Sequence, residues 1–202
     1  MPNYLSDSLF TPHAQKESAF LHLRSGERLT YSGFLKLAAR FANVLKDLGL
    51  EVGDRLAVQS EKSEYGLALY AACVQAGFVY LPLNTAYTPQ ELNYFVENSG
   101  AKVLVCDVVK SDALTPLARR LGIIVTTLDL AGQGQLQKEA KEASEHFVPV
   151  QRGPDDLAAI LYTSGTTGRS KGAMISHRNL LSNARSLKDA WCFGEQDVLL
   201  HA

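Results

Sequence analysis

Apolar residues along this chain follow two spacings that take turns. From Ser32 to Leu48 the period is helical: Phe34, Leu37, Ala38, Phe41 and Leu45 share one face, and Gly49 ends the run. Arg55 to Gln59 then reads as a strand, and Glu64 to Gln75 as a helix that Gly77 stops. Val79 to Leu81 is a short strand closed by Pro82. Thr88-Pro89-Gln90-Glu91 has the order of a capping box, with Thr88 as N-cap, Pro89 in the first turn and Glu91 at the third position. The helix it opens is expected to run to about Asn98 and to end at Gly100. Lys102 to Cys106 and Ile123 to Leu128 read as strands around a helix near Asp112 to Leu121. Strand–helix alternation of this kind predicts an α/β fold: a mostly parallel sheet layered with helices.

The second part of the chain has a different texture. Residues 15–130 carry the alternation, and 131–154 read as a linker whose middle, Gln135 to His146, is a Lys/Glu-rich solvated helix. Within 155–202, Asp156 to Tyr162 is a nearly unbroken apolar run, expected to be a strand buried on both faces. A glycine-rich loop and a brief apolar segment, Ala173-Met174-Ile175, come next. Ser176 is the expected N-cap of a helix from His177 to about Cys192. Asp197 to Ala202 reads as a strand in progress, with no turn or polar tail after it, so the domain is expected to be incomplete at its C-terminus.

Composition narrows the options. A formal charge of −1 over 202 residues, with 46% hydrophobic and 20% charged residues, fits a globular core and offers no broad basic surface for nucleic acid. No apolar run approaches the ~20 residues of a membrane helix. The N-terminus lacks the basic and apolar regions of a secretory signal, so a cytoplasmic address is expected. Cys73, Cys106 and Cys192 are odd in number and far apart, and are read as buried, reduced thiols. His13, His22, His146 and His201 show no metal-ligand spacing. His177 is read as packing or facing solvent rather than touching a ligand.

The chemistry concentrates in Thr163-Ser164-Gly165-Thr166-Thr167-Gly168-Arg169-Ser170-Lys171-Gly172. Glycine allows backbone N–H groups to converge into a nest for an anion. The hydroxyls of Thr163, Ser164, Thr166, Thr167 and Ser170 add rotatable donors, and Arg169 and Lys171 add positive charge. From Leu157 to Lys188 there are five basic residues (Arg169, Lys171, Arg178, Arg185 and Lys188) and no carboxylate. A polyphosphate is the expected guest. The spacing G-x-x-G-x-x-K-G is neither a Walker loop nor a kinase glycine loop. Gly165, Gly168 and Gly172 are candidate hinges.

Leu161 to Gly172 resembles the signature loop of the adenylate-forming superfamily, [YF]-T-S-G-[ST]-T-G-x-P-K-G, with Ser170 in place of proline. Leu29-Thr30-Tyr31-Ser32, Gly53-Asp54-Arg55-Leu56-Ala57-Val58, Ala76 to Asn84 and Ser176-His177-Arg178-Asn179-Leu180 resemble further elements of that superfamily, from about residue 15 to the end. Gln59 to Ser63, Tyr80 to Thr88 and Thr166 to Met174 look like its malonate-activating subgroup. The resemblance implies the N-terminal part of an AMP-binding domain over 1–202, in a ligase that uses ATP, Mg2+ and coenzyme A. It joins a small carboxylic acid, malonate by the subgroup, to CoA through an acyl-adenylate. It implies that Thr163, Ser164, Gly165, Thr166, Thr167, Gly168, Arg169, Ser170 and Lys171 bind the nucleotide. It also implies that the acidic magnesium ligand, the adenine and acyl contacts and the catalytic lysine lie beyond Ala202. No catalytic residue is therefore expected here, and the chain alone is expected to be inactive. A ligase for another acid, or a module that binds nucleotide or a partner without catalysis, remains open. So does a phosphotransferase, which would release ADP instead of AMP and pyrophosphate.

Overall fold

The structure, a computed structural model, describes residues 2–163 and 170–200. A short helix, α1 (Ser6–Leu9), precedes a hairpin of β1 (Ala19–His22) and β2 (Arg28–Thr30). The alternating part follows: α2 (Tyr31–Asp47), β3 (Arg55–Gln59), α3 (Glu64–Ala76), β4 (Val79–Pro82), α4 (Pro89–Ser99), β5 (Val103–Cys106), α5 (Ser111–Leu121) and β6 (Ile124–Thr127). After α6 (Gln135–Glu142) come β7 (Leu157–Thr163), β8 (Lys171–Ser176) and α7 (His177–Ala190).

Strands β3 to β8 form one sheet in the order β6-β5-β3-β4-β7-β8. The pairs from β6 to β7 are parallel, and β8 runs antiparallel to β7 at the edge. The strand period of two sorts the side chains into two cores. Leu56, Val58, Val103 and Val105 pack with α2, α3 and α6 on one face. Ala57, Leu81, Leu104 and Cys106 pack with α4 and α5 on the other. Burial on both sides explains why these strands read as apolar runs.

The helix ends follow from local chemistry. The Thr30 and Ser63 hydroxyls accept from the backbone N–H groups of Gly33 and Gly66 at 3.0 and 3.2 Å. At α4 the capping box is complete: Glu91 N–H donates to the Thr88 hydroxyl, and the Glu91 carboxylate accepts from Thr88 N–H. Gly77 ends α3 at φ +72°, a left-handed conformation that a side chain would strain.

Several expectations need correction. The β1–β2 hairpin and α1 were not foreseen, because segments of four, three and four residues are too short to display a period. Helix α6 is not wholly solvated: Leu136 and Ala140 are buried, while Arg40 of α2 donates to the Ala140 and Lys141 carbonyls. Strand β7 is buried only at Ala158, Ala159 and Ile160, and Leu161 is 42% exposed. Its pairing with β4 is confined to Tyr80↔Ala159, whereas its ladder with β8 continues to Thr163↔Lys171. Residues Asp197 to Leu200 form no strand and are exposed, since no described residue pairs with them. Cys73 and Cys106 are buried as expected, but Cys192 is exposed. Among the described residues no helix is long and apolar enough to cross a membrane.

Candidate functional site

The glycine-rich segment joins the two strands of a hairpin at the sheet edge. Ladder pairs run from Leu157↔Ser176 to Tyr162↔Gly172 and Thr163↔Lys171. Thr163 and Lys171 therefore face each other at the mouth of the loop, both exposed. The loop leaves the carboxyl end of a parallel strand, where ligands of open α/β sheets bind. Ser164, Gly165, Thr166, Thr167, Gly168 and Arg169 lie outside the described residues.

Strand pleating divides the hairpin into two faces. Ile160 and Tyr162 belong to the core built on α4 and α5. Thr163 and Lys171 alternate with them and project to the opposite side. Gly172 sits beneath the first pair: a Cβ there would lie 2.9 Å from Ile160 Cγ2 and 3.4 Å from the Tyr162 ring. Its φ is not positive, and the close packing on Ile160 is the reason this structure gives for glycine at this position.

Helix α4 supports both arms. The Tyr94 hydroxyl donates to the Ser170 carbonyl at 2.8 Å, and the Tyr162 hydroxyl donates to Asn98 Oδ1 at 2.6 Å. The Phe95 and Tyr162 ring centroids are 4.6 Å apart, and the Tyr87 ring lies tilted against Phe95 at 4.7 Å. Sequence reasoning missed Tyr94 and Asn98. Their i, i+4 spacing is visible, but their partners are 76 and 64 residues away.

The charge around the loop is sparser than the sequence count suggested. Arg178 holds Asp155, just outside the counted window, through contacts of 3.0 and 3.1 Å. That hydrogen bond holds the Asp155 carboxyl below its usual pKa. Lys188 lies 3.9 Å from Asp189. Among the described residues no carboxylate lies within ion-pair distance of Lys171, so its charge is available to an anion. His177 is 1% exposed, and burial, reinforced by Arg152, lowers its pKa to about 4. It is a neutral packing residue near pH 7, as its helix position suggested. Among the described residues no group of three His, Cys, Asp or Glu side chains could hold a metal ion.

A family profile described as AMP-binding enzyme matches residues 10–202. The chain belongs to that family. Among solved structures, apo MatB from Rhodopseudomonas palustris, a malonyl-CoA synthetase, superposes with a TM-score of 0.95 at 49% identity. The match covers 100% of this chain and 40% of that one. The ATP-bound form of the same enzyme gives a TM-score of 0.95 at 50% identity over the same shares. Feruloyl-CoA synthase of an Amycolatopsis species is 36% identical over 175 residues, covering 86% of this chain and 32% of the relative. This AMP-binding chain thus spans about a third of the length of such curated relatives and matches the N-terminal part of adenylate-forming enzymes.

Proposed function

We propose that the β7–β8 hairpin grips the triphosphate of ATP in an acid–CoA ligase, and that the acid is malonate. The observation that carries this reading is the pairing of Thr163 with Lys171 at the mouth of a glycine- and hydroxyl-rich loop, in a chain that matches ATP-bound MatB over its whole length. The chemistry needs such a grip. A carboxylate oxygen attacks the α-phosphorus of ATP, the bond to the bridging oxygen breaks, and pyrophosphate leaves with the electron pair. The CoA thiol then attacks the acyl carbon, releasing AMP and a proton. Donors and a cation aimed at the β- and γ-phosphates stabilise the charge that develops on the leaving group and hold the chain of phosphates in line.

The assignment gives Thr163, Ser164, Gly165, Thr166, Thr167, Gly168, Arg169, Ser170 and Lys171 to phosphate binding. Magnesium bound with the nucleotide would neutralise phosphate charge beside Lys171. Acid and CoA contacts are assigned to the portion of the family that this chain does not span. The chain alone is then expected to bind ATP and to make no thioester. Malonate is favoured over ferulate because the identity is 49% with MatB against 36% with feruloyl-CoA synthase.

The test is an acid panel in an enzyme that carries this chain, read as pyrophosphate and AMP release. Release with malonate well above that with ferulate or a long-chain acid supports the proposal. Preference for another acid refutes malonate alone. ADP as the nucleotide product refutes adenylation.

A further inference from the structure

Both arms of the hairpin are tied to one short helix, and the ties sit on either side of the loop. On the upstream arm the Tyr162 hydroxyl donates to Asn98, and on the downstream arm the Ser170 carbonyl accepts from Tyr94. Tyr94 and Asn98 are four residues apart and so share a face of α4. Each tie lies within one residue of Thr163 or Lys171, the pair at the loop mouth.

The helix is itself fixed at both ends. Its first turn is closed by the Thr88–Glu91 capping box. At its far end Arg55 donates to the Ser99 and Gly100 carbonyls, each at 2.8 Å. Leu92, Phe95 and Val96 are buried beneath it. By contrast β8 has no second strand neighbour among the described residues and is exposed from Lys171 to Met174. Its ladder with β7 fixes its register, and the Tyr94 hydroxyl adds a bond to the residue just before its loop end.

We propose that Tyr94 and Asn98 are positioning residues for phosphate binding: through Ser170 and Tyr162 they set the separation of the two arms and thereby place Lys171 opposite Thr163. This rests on the reading of the hairpin as the phosphate grip. A tether that only stabilises the fold would change unfolding and leave anion affinity in the folded protein alone. A positioning tether acts through Lys171, so its loss matters only while Lys171 is present.

The experiment is a double-mutant cycle in the 202-residue chain with inorganic pyrophosphate as the probe, read by titration calorimetry. Tyr94→Phe deletes one hydroxyl and keeps the ring. It is expected to weaken pyrophosphate binding about 5-fold in the parent and less than about 2-fold in the Lys171→Ala background. Tyr162→Phe, which cuts the other tie, is expected to behave the same way and keeps the test decisive if one variant folds poorly. Equal weakening in both backgrounds overturns the positioning role, because the effect then does not pass through Lys171. Parent-like affinity in both tyrosine variants, with Lys171→Ala weakened, overturns it too but leaves the phosphate reading standing. No binding to the parent chain overturns both.

Discussion

The centre of the sheet and its β7–β8 edge are built on opposite plans. At the centre, Leu56, Leu104 and Val105 are fully buried between helices on both faces, and Phe41 and Leu45 of α2 are buried with them. At the edge, Lys171 to Met174 are exposed, and α7 buries only His177 and Leu181. The centre owes its place to apolar area, which is non-directional and tolerant of exchange. The edge owes its place to the β7–β8 ladder, two tyrosine hydrogen bonds and the packing of one face, Ile160 and Tyr162, on α4. A phosphate site needs the second plan, since its donors must reach solvent while their backbone stays in register.

The largest effect expected from this contrast is at the centre. Phe41→Ala removes a ring that is 0% exposed and should cost about 3–5 kcal/mol in urea unfolding. Pyrophosphate affinity of the remaining folded protein should stay within about 2-fold of the parent, about 0.4 kcal/mol at 25 °C. A large drop in affinity at unchanged fold would dissolve the division between the two regions.

Next in size is a pH effect inside the edge region, at the buried His177. The His177 pKa is lowered to about 4 in the folded protein, against about 6.5 unfolded. As pH falls, the unfolded chain takes up the proton first. Stability from this group is therefore complete above pH 6.5 and is lost between 6.5 and 4, by at most about 3 kcal/mol. His177→Gln should flatten that part of the stability–pH curve. An identical slope in the variant would show that other groups govern the acid limb.

Smaller again is the brace of the edge. Thr88→Ala removes the N-cap of α4 and should cost about 1 kcal/mol of stability. Pyrophosphate binding should weaken only as far as the helix frays toward Tyr94. The smallest effect is assigned to the Asp155–Arg178 pair, both partners exposed: Arg178→Ala should leave the unfolding midpoint nearly unchanged.

The same contrast explains what the sequence disclosed. Local signals were sufficient for β3, bounded at Arg55 and Gln59 as expected, and for α4, with its Thr88 cap and Gly100 stop. The mostly parallel sheet followed from their alternation. What stayed hidden depends on neighbours in space. Leu161 lies beyond the one paired position between β7 and β4, and Arg178's neutral setting follows from a carboxylate two residues outside the counted window. At the site, Thr163, Ser170 and Lys171 were legible as residue types. Their order across a ladder, and the helix that holds it, were not. Gly172 was read as a hinge because glycine permits motion; the contact with Ile160 that a Cβ would crowd could not be read from the sequence.

The most direct test of the central claim is equilibrium dialysis of labelled MgATP against the chain and its Lys171→Ala variant. The hairpin account predicts saturable binding by the parent and affinity lower by about 10- to 100-fold in the variant, the range for losing one charge-assisted contact. Equal affinity in the two proteins would contradict it.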